Sequence, residues 1–444
     1  MTASSSSQSL RGWGGTAVQG RELLSENLAQ ACMEASLSRG LARSYGDASL
    51  PAASHPVALN TCRANRILAW DPHRGELCAE AGLDLQSINQ LWLPQGWFIP
   101  VSPGTQYVTL GGMVAADVHG KNHHIEGCIG AHVHSLRMRV ADGRILVCDR
   151  ERHPELFRAT LGGMGLTGHI LDVILHMQRI PSPWIWSRSY RIADIDAFEE
   201  ALAESAGQWP YTMGWIDCVA RGKAMGRGIL MAGRWATADE APAQAPPHLT
   251  RITMPFRLPN LALNRFSIRA FNTLYYGKHP RRPREGIVHP QRFFYPLDAI
   301  HQWNRMYGSA GFTQYQCVLP RDAKAGAARR LLDTLTRHGG ASFLCVIKDC
   351  GPEGEGMLSF PRAGISIALD IPMRSSTQAL VDTLNRQVID EGGRIYLAKD
   401  ALTRPEHFRA MEPRLPAFNA LRDAWDPQRK IRSALSVRLL GDPA

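Results

Sequence analysis

The chain has 444 residues, 44% of them hydrophobic and 20% charged, with a formal net charge of +10. That length exceeds what one hydrophobic core usually organises, so two domains are expected, with an ordinary globular composition. No run approaches the roughly 18 consecutive apolar residues of a membrane-spanning helix; the nine scattered cysteines, with no Cys-x-x-Cys pair, argue against a disulfide framework or a structural zinc module.

The opening stretch to Gly15 is Ser-rich and has no basic patch followed by an apolar run, so no secretory leader is expected and the chain reads as cytoplasmic. A helical pattern over 23–36 leads into Gly40-Leu-Ala-Arg-Ser-Tyr-Gly-Asp47, a glycine-bounded turn with two hydroxyls and an arginine. Strands are predicted over 66–71, 76–81 and 98–101, and helices over 85–92 and 154–161.

The densest signal is the run from Val101 to His124. Pro103-Gly104-Thr105 and Gly111-Gly112 leave backbone N–H groups open to close approach by an anion, because no Cβ intervenes at the glycines. Thr105 and Thr109 add hydroxyls, and a helix opening just after Gly112 would aim its positive end at a diphosphate. A third small-residue loop, Leu161-Gly-Gly-Met-Gly-Leu-Thr-Gly168, precedes a predicted strand over 170–178, and prolines 181 and 183 close the region. Three such loops are unlike the single G-x-G-x-x-G of a nicotinamide site and suit a large cofactor contacted from several sides. The histidines nearby (His119, His123, His124, His132, His134) have only Asp117 and Glu126 as adjacent carboxylates, so no metal is expected.

A second region begins near Trp184. A loop over 236–247 precedes the segment 254–286, which holds seven basic residues and one acid, Glu285. Its apolar partners are Phe256, Leu258, Leu261, Leu263, Phe266, Ile268, Phe271, Tyr275 and Tyr276. The mixture predicts a flap that meets an anionic lipid surface, or else a docked helix followed by a solvated Pro/Arg turn. No nucleic-acid reading motif accompanies the charge, so no nucleic-acid partner is expected. Strands over 312–319, 342–348 and 364–371 mix with helices over 323–337 and 377–391, an α+β pattern. Gln314 and Gln316 alternate on a strand and so share a face. The tail from Arg394 ends in a predicted charged helix over 418–438, broken at Pro427.

Together RSYGD, PGTQYVTLGG, DVHGKNHH, GGMGLTG and YLAKD resemble the vanillyl-alcohol-oxidase, PCMH-type FAD flavoproteins. Within them the resemblance is to the decaprenylphosphoryl-β-D-ribose 2′-oxidase branch, from about Gly40 to about Leu439. It implies an α+β, two-domain fold: an FAD-binding part over 1–183, a substrate domain of antiparallel sheet plus helices over 184–393, and a return over 394–444. It implies FAD contacts from Arg43, Ser44, Tyr45, Gly46 and Asp47, and from Pro103, Gly104 and Thr105. Thr109, Leu110, Gly111 and Gly112 follow, then Ala116, Asp117, Val118, His119 and Asn122, with Ile170 and Tyr396 from further along. The substrate side is implied at Lys121, Trp215, Phe294, Gln314, Gln316, Lys348, Ser366 and Ala368. Tyr45 stands where relatives that attach FAD covalently carry His, which implies noncovalent FAD.

The implied reaction is hydride transfer from the 2′-carbon of a polyprenyl-phosphate-linked ribose to flavin N5, giving the 2′-keto sugar. Lys399 would hold the oxygen, while His119 or Tyr45 relays the proton; which of them is the base stays open. An NAD-dependent short-chain reductase partner would complete an epimerisation, with the enzyme peripheral at the inner face of the cytoplasmic membrane. The alternative is a soluble alditol- or aldonolactone-type oxidase of the same fold. The pocket wall departs from the branch at four places: Ser366 and Ala368 replace Asn and Cys, Phe294 replaces Tyr, and Met213 replaces Ser.

Overall fold

The computed structural model describes residues 3, 4, 7–247, 249–260 and 262–444. Leu261 of the basic segment, and Met1, Thr2, Ser5 and Ser6 of the Ser-rich opening, lie outside the described residues.

Alternating burial along Ala17–Leu24 makes that segment a strand, and it runs parallel to Val57–Asn60, which also pairs with Leu37–Arg39. Residues 23–36 are therefore not one helix. Pairing draws Leu23 and Leu24 into the sheet, and Asn27, accepting from the Gln30 amide, starts a single α-turn over Leu28–Ala31. A second sheet is antiparallel throughout, in the order Ile145–Cys148, Val133–Arg139, His169–His176, Glu76–Glu80, Ile67–Asp71. The strand predicted over 98–101 shrinks to Trp97–Phe98, paired with Gln178–Arg179, because Pro100 has no N–H to extend the ladder.

The remaining half is built on eight strands, all between Ile185 and Ile395. Their order is Arg284–Val288, Ile185–Ile192, Gly228–Trp235, Tyr211–Ile216, Cys345–Cys350, Gly364–Pro372, Phe312–Pro320, Arg394–Ile395. The helices Ile195–Ala206, Ala327–Arg337 and Thr377–Asp390 pack together on this sheet. Phe198 fills space that a Cβ on Gly214 or Gly228 would occupy. Register places Trp215 beside Val346, Val346 beside Ala368 and Ala368 beside Gln316 in one row. Lys348 pairs with Ser366, and Gln314 with Asp370, in rows two residues either side. Side chains two apart share a face, so these polar groups lie together.

The tail forms three helices, Pro405–Met411, Leu415–Trp425 and Ala434–Leu440. The single helix predicted over 418–438 is interrupted because Asp426 takes the amides of Lys430 and Ile431 at 2.9 and 2.8 Å, turning the chain at Pro427. The basic segment is a docked helix, Arg265–Lys278, rather than a free flap. Asn264 and Ser267 form its capping box, and buried Asn272 donates to Asp217 and the Ser342 carbonyl. A strand, Arg284–Val288, follows at the sheet edge.

Arg438 on the last helix joins distant parts of the chain. Its guanidinium donates to both oxygens of Asp47 (2.7 and 2.8 Å) and to the Thr403 carbonyl, and stands 2.9 Å from Asp400. Removing one partner of a mostly buried ionic cluster strands the others without compensation, at about 3 kcal/mol. Arg438→Met is therefore expected to lower the urea midpoint by a corresponding amount, measured against Arg432→Met, whose guanidinium donates to the Arg429 carbonyl and the Ser54 hydroxyl rather than to buried acids.

Candidate active site

The turn at 40–47 is held from two sides. The amides of Trp13 and Gly14 donate to the carbonyls of Ser44 and Tyr45, and the Tyr45 amide donates to the Ala398 carbonyl at 3.0 Å. Tyr45 is thereby buried under Lys399, whose Nζ lies 4.2 Å above the phenol ring. Arg43 stacks 4.0 Å over the Trp13 ring and donates through Nε to the Tyr107 carbonyl.

The glycine loop at 103–105 is fixed by the opposite half of the molecule. Thr105 Oγ1 and the Gln106 amide donate to the two oxygens of Asp298, at 2.7 and 2.9 Å. Ser102 and Asn89 both reach the Tyr295 hydroxyl. Gly104 itself is open: no atom stands within 4 Å of the place a Cβ would take. The following helix opens at Leu110, three residues earlier than the pattern suggests, because Thr109 caps it by accepting from the Gly112 amide. Gly111 serves packing instead, since a Cβ there would press on Ala81 at 2.9 Å, and a Cβ on Gly46 would collide with the Asp400 carbonyl.

Between these loops and the large sheet runs a cleft with about 1910 Å³ of space, open solvent at its mouth included. Of the residues expected at the cofactor, Arg43, Ser44, Tyr45, Pro103, Gly104, Thr105 and Thr109 line it. So do Gly112, Ala116, Val118, His119 and Tyr396. On the sheet side Lys121, Phe294, Gln314, Gln316, Lys348, Ala368 and Lys399 line it too.

The other expected residues stand behind the wall. Asp47 binds Arg438, Leu110 and Ile170 are core, and Asn122 donates to the Pro100 carbonyl. Asp117 is fully buried, accepting from the Gly130 amide and the Ser359 hydroxyl. Trp215 donates to the Phe343 carbonyl, and Ser366 accepts from Gln316 at 3.1 Å. Among lining residues that sequence reasoning passed over are Trp13, Tyr107, Asp298 and Trp303. Gly12-Trp13-Gly14-Gly15 and the Pro296-Leu297-Asp298 turn were visible signals. Nothing in the sequence pointed Trp303 at the cleft.

The inner end is strongly cationic. Burial pushes Lys399 down to about 7, with Lys348 lowering it further and Asp370 opposing. Burial likewise brings Lys121, which donates to the Phe294 carbonyl at 2.9 Å, down to about 7. Lys348 is lowered by burial alone, and His119 is held well below the usual imidazole range by burial and then by Lys348. His119 is therefore neutral near pH 7. The amide nitrogen of Gln316 lies 3.0 Å from its Nε2 and can only donate, so the imidazole carries its proton on Nδ1. That Nδ1 is buried and has no partner in the protein. An open glycine cradle, an orphaned imidazole N–H and a row of cations fit a large, partly anionic cofactor in contact with a polar substrate.

Two of the histidines beside the cleft are engaged by backbone groups. His123 accepts from the Gly351 amide and His124 donates to the Trp209 carbonyl. Among the described residues, the grouping with ligand spacing is Glu76, His134 and His176, none of which lines the cleft.

The family model described as an FAD binding domain matches residues 29–149. Along 97% of its length the chain is 34% identical to 97% of the decaprenylphosphoryl-β-D-ribose oxidase of Mycolicibacterium smegmatis. It is also 34% identical, over 80% of its length, to an entire uncharacterised protein of Streptomyces coelicolor. A more distant similarity, 29% identity over 28% of the chain and 30% of the relative, is to the L-gulonolactone oxidase of Scyliorhinus torazame.

With Tyr45 in the early turn and no cysteine in the cleft wall, FAD is expected to be held without a covalent bond. Acid precipitation of the yellow protein should leave the flavin in the supernatant; colour retained in the pellet contradicts this.

Proposed function

We propose, since this chain belongs to the decaprenylphosphoryl-β-D-ribose oxidase family of FAD-dependent oxidoreductases, that it oxidises the 2′-hydroxyl of a polyprenyl-phosphate-linked ribose to the 2′-keto sugar. The observation that carries the reading is Lys399, a half-buried cation on the Tyr45 ring, sharing one cleft with Gln314, Gln316 and Lys348.

FAD, when bound, supplies the hydride acceptor. The residues proposed to hold it are Arg43 to Tyr45, Pro103 to Thr105, Thr109, Gly112, Ala116, Val118 and Tyr396, all in the cleft wall. Tyr396 is itself fixed by donating to the Ala116 carbonyl at 2.9 Å. Lys399 would hold the substrate oxygen, stabilising negative charge there as the hydroxyl proton leaves, and would face the cofactor edge that becomes anionic on taking the hydride, at the inner end of the cleft where bound ligands would exclude water and a cation would count for more. His119 and Tyr45 both line the cleft and are the proposed candidates for that oxygen's proton: the imidazole can take it only at Nε2, once Gln316 releases that atom, while its Nδ1–H can pass a proton on, and the phenol is linked to Gln314 at 3.3 Å. Lys348 and Lys121 supply the positive field for a phosphate. Phe294 and Ala368, where the branch has Tyr and Cys, make this part of the wall less polar and remove the thiol. A keto product has lost its configuration at the oxidised carbon, so a reductase acting from the other face, of the NAD-dependent short-chain kind, is the proposed partner for an epimerisation. The aldonolactone reading rests on similarity over 28% of the chain, against 97% for the ribose oxidase.

Anaerobic mixing with a polyprenylphosphoryl ribose should bleach the flavin, whereas a free aldonolactone should not; the reverse result overturns the substrate assignment. Lys399→Ala should keep its flavin and lose turnover by about 100-fold or more, acting on kcat rather than KM. Because the lysine must be protonated, kcat/KM should be retained below its pKa and fall as pH rises through about 7. A profile flat from pH 6 to 8.5 would contradict that role.

A lipid-linked substrate calls for contact with a bilayer, and no helix among the described residues is long and apolar enough to cross one. The helix Arg265–Lys278 instead presents Phe266 and Leu274, 86% and 75% exposed, beside exposed Arg265 and Arg269. Exposed arginines at 281, 282 and 284 follow. Apolar side chains at the headgroup boundary and cations worth about 1 kcal/mol each suit an anionic surface. The protein should pellet with anionic liposomes at low salt and release as salt rises. Replacing Arg281, Arg282 and Arg284 with Ser should weaken pelleting without altering the flavin spectrum.

A further inference from the structure

We infer that Asp370, which forms no part of the cleft wall, is a positioning residue for the oxidation: it decides which end of the Gln314 amide meets the substrate and places negative charge beside Lys399. This rests on the reading of Lys399 as the working cation.

Asp370 is fully buried on the strand Gly364–Pro372, directly opposite Gln314 in register. Gln314 Nε2 donates to Asp370 Oδ1 at 2.6 Å, and the Tyr307 hydroxyl donates to Oδ2 at 3.0 Å. Burial pushes Asp370 up to about 7, but both neighbours are donors and oppose that rise, so the geometry favours the ionised carboxylate and its charge is complete above that pH. A carboxylate only accepts, which forces the NH₂ end of Gln314 toward Asp370, where the same nitrogen also reaches the Tyr45 hydroxyl at 3.3 Å. The carbonyl end is then the end left for the cleft, as an acceptor for a sugar hydroxyl. Gln316 is oriented in the same sense, its NH₂ held by His119 and Ser366. Two fixed acceptors on one sheet face reject a substrate lacking hydroxyl donors at those places, since a polar group left unpaired in a dry site is heavily penalised.

The groups facing Lys399 are Tyr45 beneath it, Lys348 from the sheet, His119 from the glycine-loop side, and Asp370. Asp400, its neighbour in the chain, is turned to Arg438. Asp370 is thus the acid in that set. Its charge favours the protonated lysine against burial and Lys348. Without it Lys399 sheds its proton at lower pH, and any step that needs the cation fails earlier as pH rises.

Asp370→Asn keeps the shape and the acceptor for Tyr307, but turns an NH₂ toward Gln314. In the holoenzyme, the pH midpoint for acetylation of Lys399 by acetic anhydride, read by peptide mass spectrometry, should fall by about one unit or more. The descending limb of kcat/KM should move the same way, and KM for the sugar should rise as Gln314 flips. The double variant Asp370→Asn with Gln314→Glu should return the acetylation midpoint toward the parent value. An unchanged midpoint in Asp370→Asn overturns the inference. If that variant fails to retain flavin, Asp370→Ser, which removes the same charge with less bulk, is read in its place, and an unchanged midpoint there overturns the inference. Normal turnover by Lys399→Ala would sink the functional reading and leave the acetylation result standing on its own.

Discussion

Arg438 holds two carboxylates at once, Asp47 at the end of RSYGD and Asp400 at the end of YLAKD. Those motifs lie some 350 residues apart, and each delivers its working side chain just ahead of the acid: Tyr45 before Asp47, Lys399 before Asp400. The cation keeps the two acids from repelling each other, and the missing Cβ of Gly46 lets the Asp400 carbonyl approach the turn. Stacking of Lys399 on Tyr45 is a consequence of this junction rather than an independent contact. The surrounding hydrogen bonds make the same point: the Tyr45 amide reaches Ala398, and the Tyr396 hydroxyl reaches Ala116.

The cleft concentrates positive charge where burial penalises it. Lys121 and Lys399 are each driven down to about 7, and Lys348 is lowered as well. Alone, such a cluster destabilises the fold. It is useful only if ligands bring negative charge, and both a dinucleotide cofactor and a phosphate-linked sugar do so. Asp298 and Asp370 are the acids that the protein itself supplies, and both face donors. Asp298 holds the glycine loop, while Asp370 holds Gln314. Each is thereby committed to geometry, leaving the cations for ligands.

Short glycine-bounded motifs were legible because their residue types are dictated locally: a turn that must admit an anion has few alternatives to Gly, Pro and Thr. The strand carrying Gln314 and Gln316 was legible because its length and its aromatic and β-branched residues suit a strand, and it is buried from end to end. The helix expected over 23–36 was not, because its fate was decided by pairing with Val57–Asn60, a contact that no local pattern announces. The same holds for Gly111, which looks like a cofactor glycine in sequence and proves to be one that packs on Ala81. Trp13 and Asp370 were missed for a related reason. Their roles come from Gly14 lying against Phe312 and from cross-strand register, which exist only once the chain has folded.

Departures from the ribose-oxidase branch also become intelligible in this frame. Ala368 sits between Val346 and Gln316 in one row of the sheet, while Ser366 lies beside Lys348 in the next. Position 368 supplies no group that would orient a sugar, and Ser366 would act only through Gln316: Asp370 orients Gln314, while His119 and Ser366 together orient Gln316. A Ser at 366 retains an oxygen for the Gln316 amide, so that arm of the network survives loss of Asn. In the proposed reaction a methyl at 368 removes a thiol that hydride removal would not call upon, because the acceptor would belong to the cofactor and the charge to Lys399. The substitutions thus alter what the wall can capture covalently and how polar it is. The residues proposed to carry the oxidation, anchored through Arg438 and Asp370 outside the wall, are left as they were.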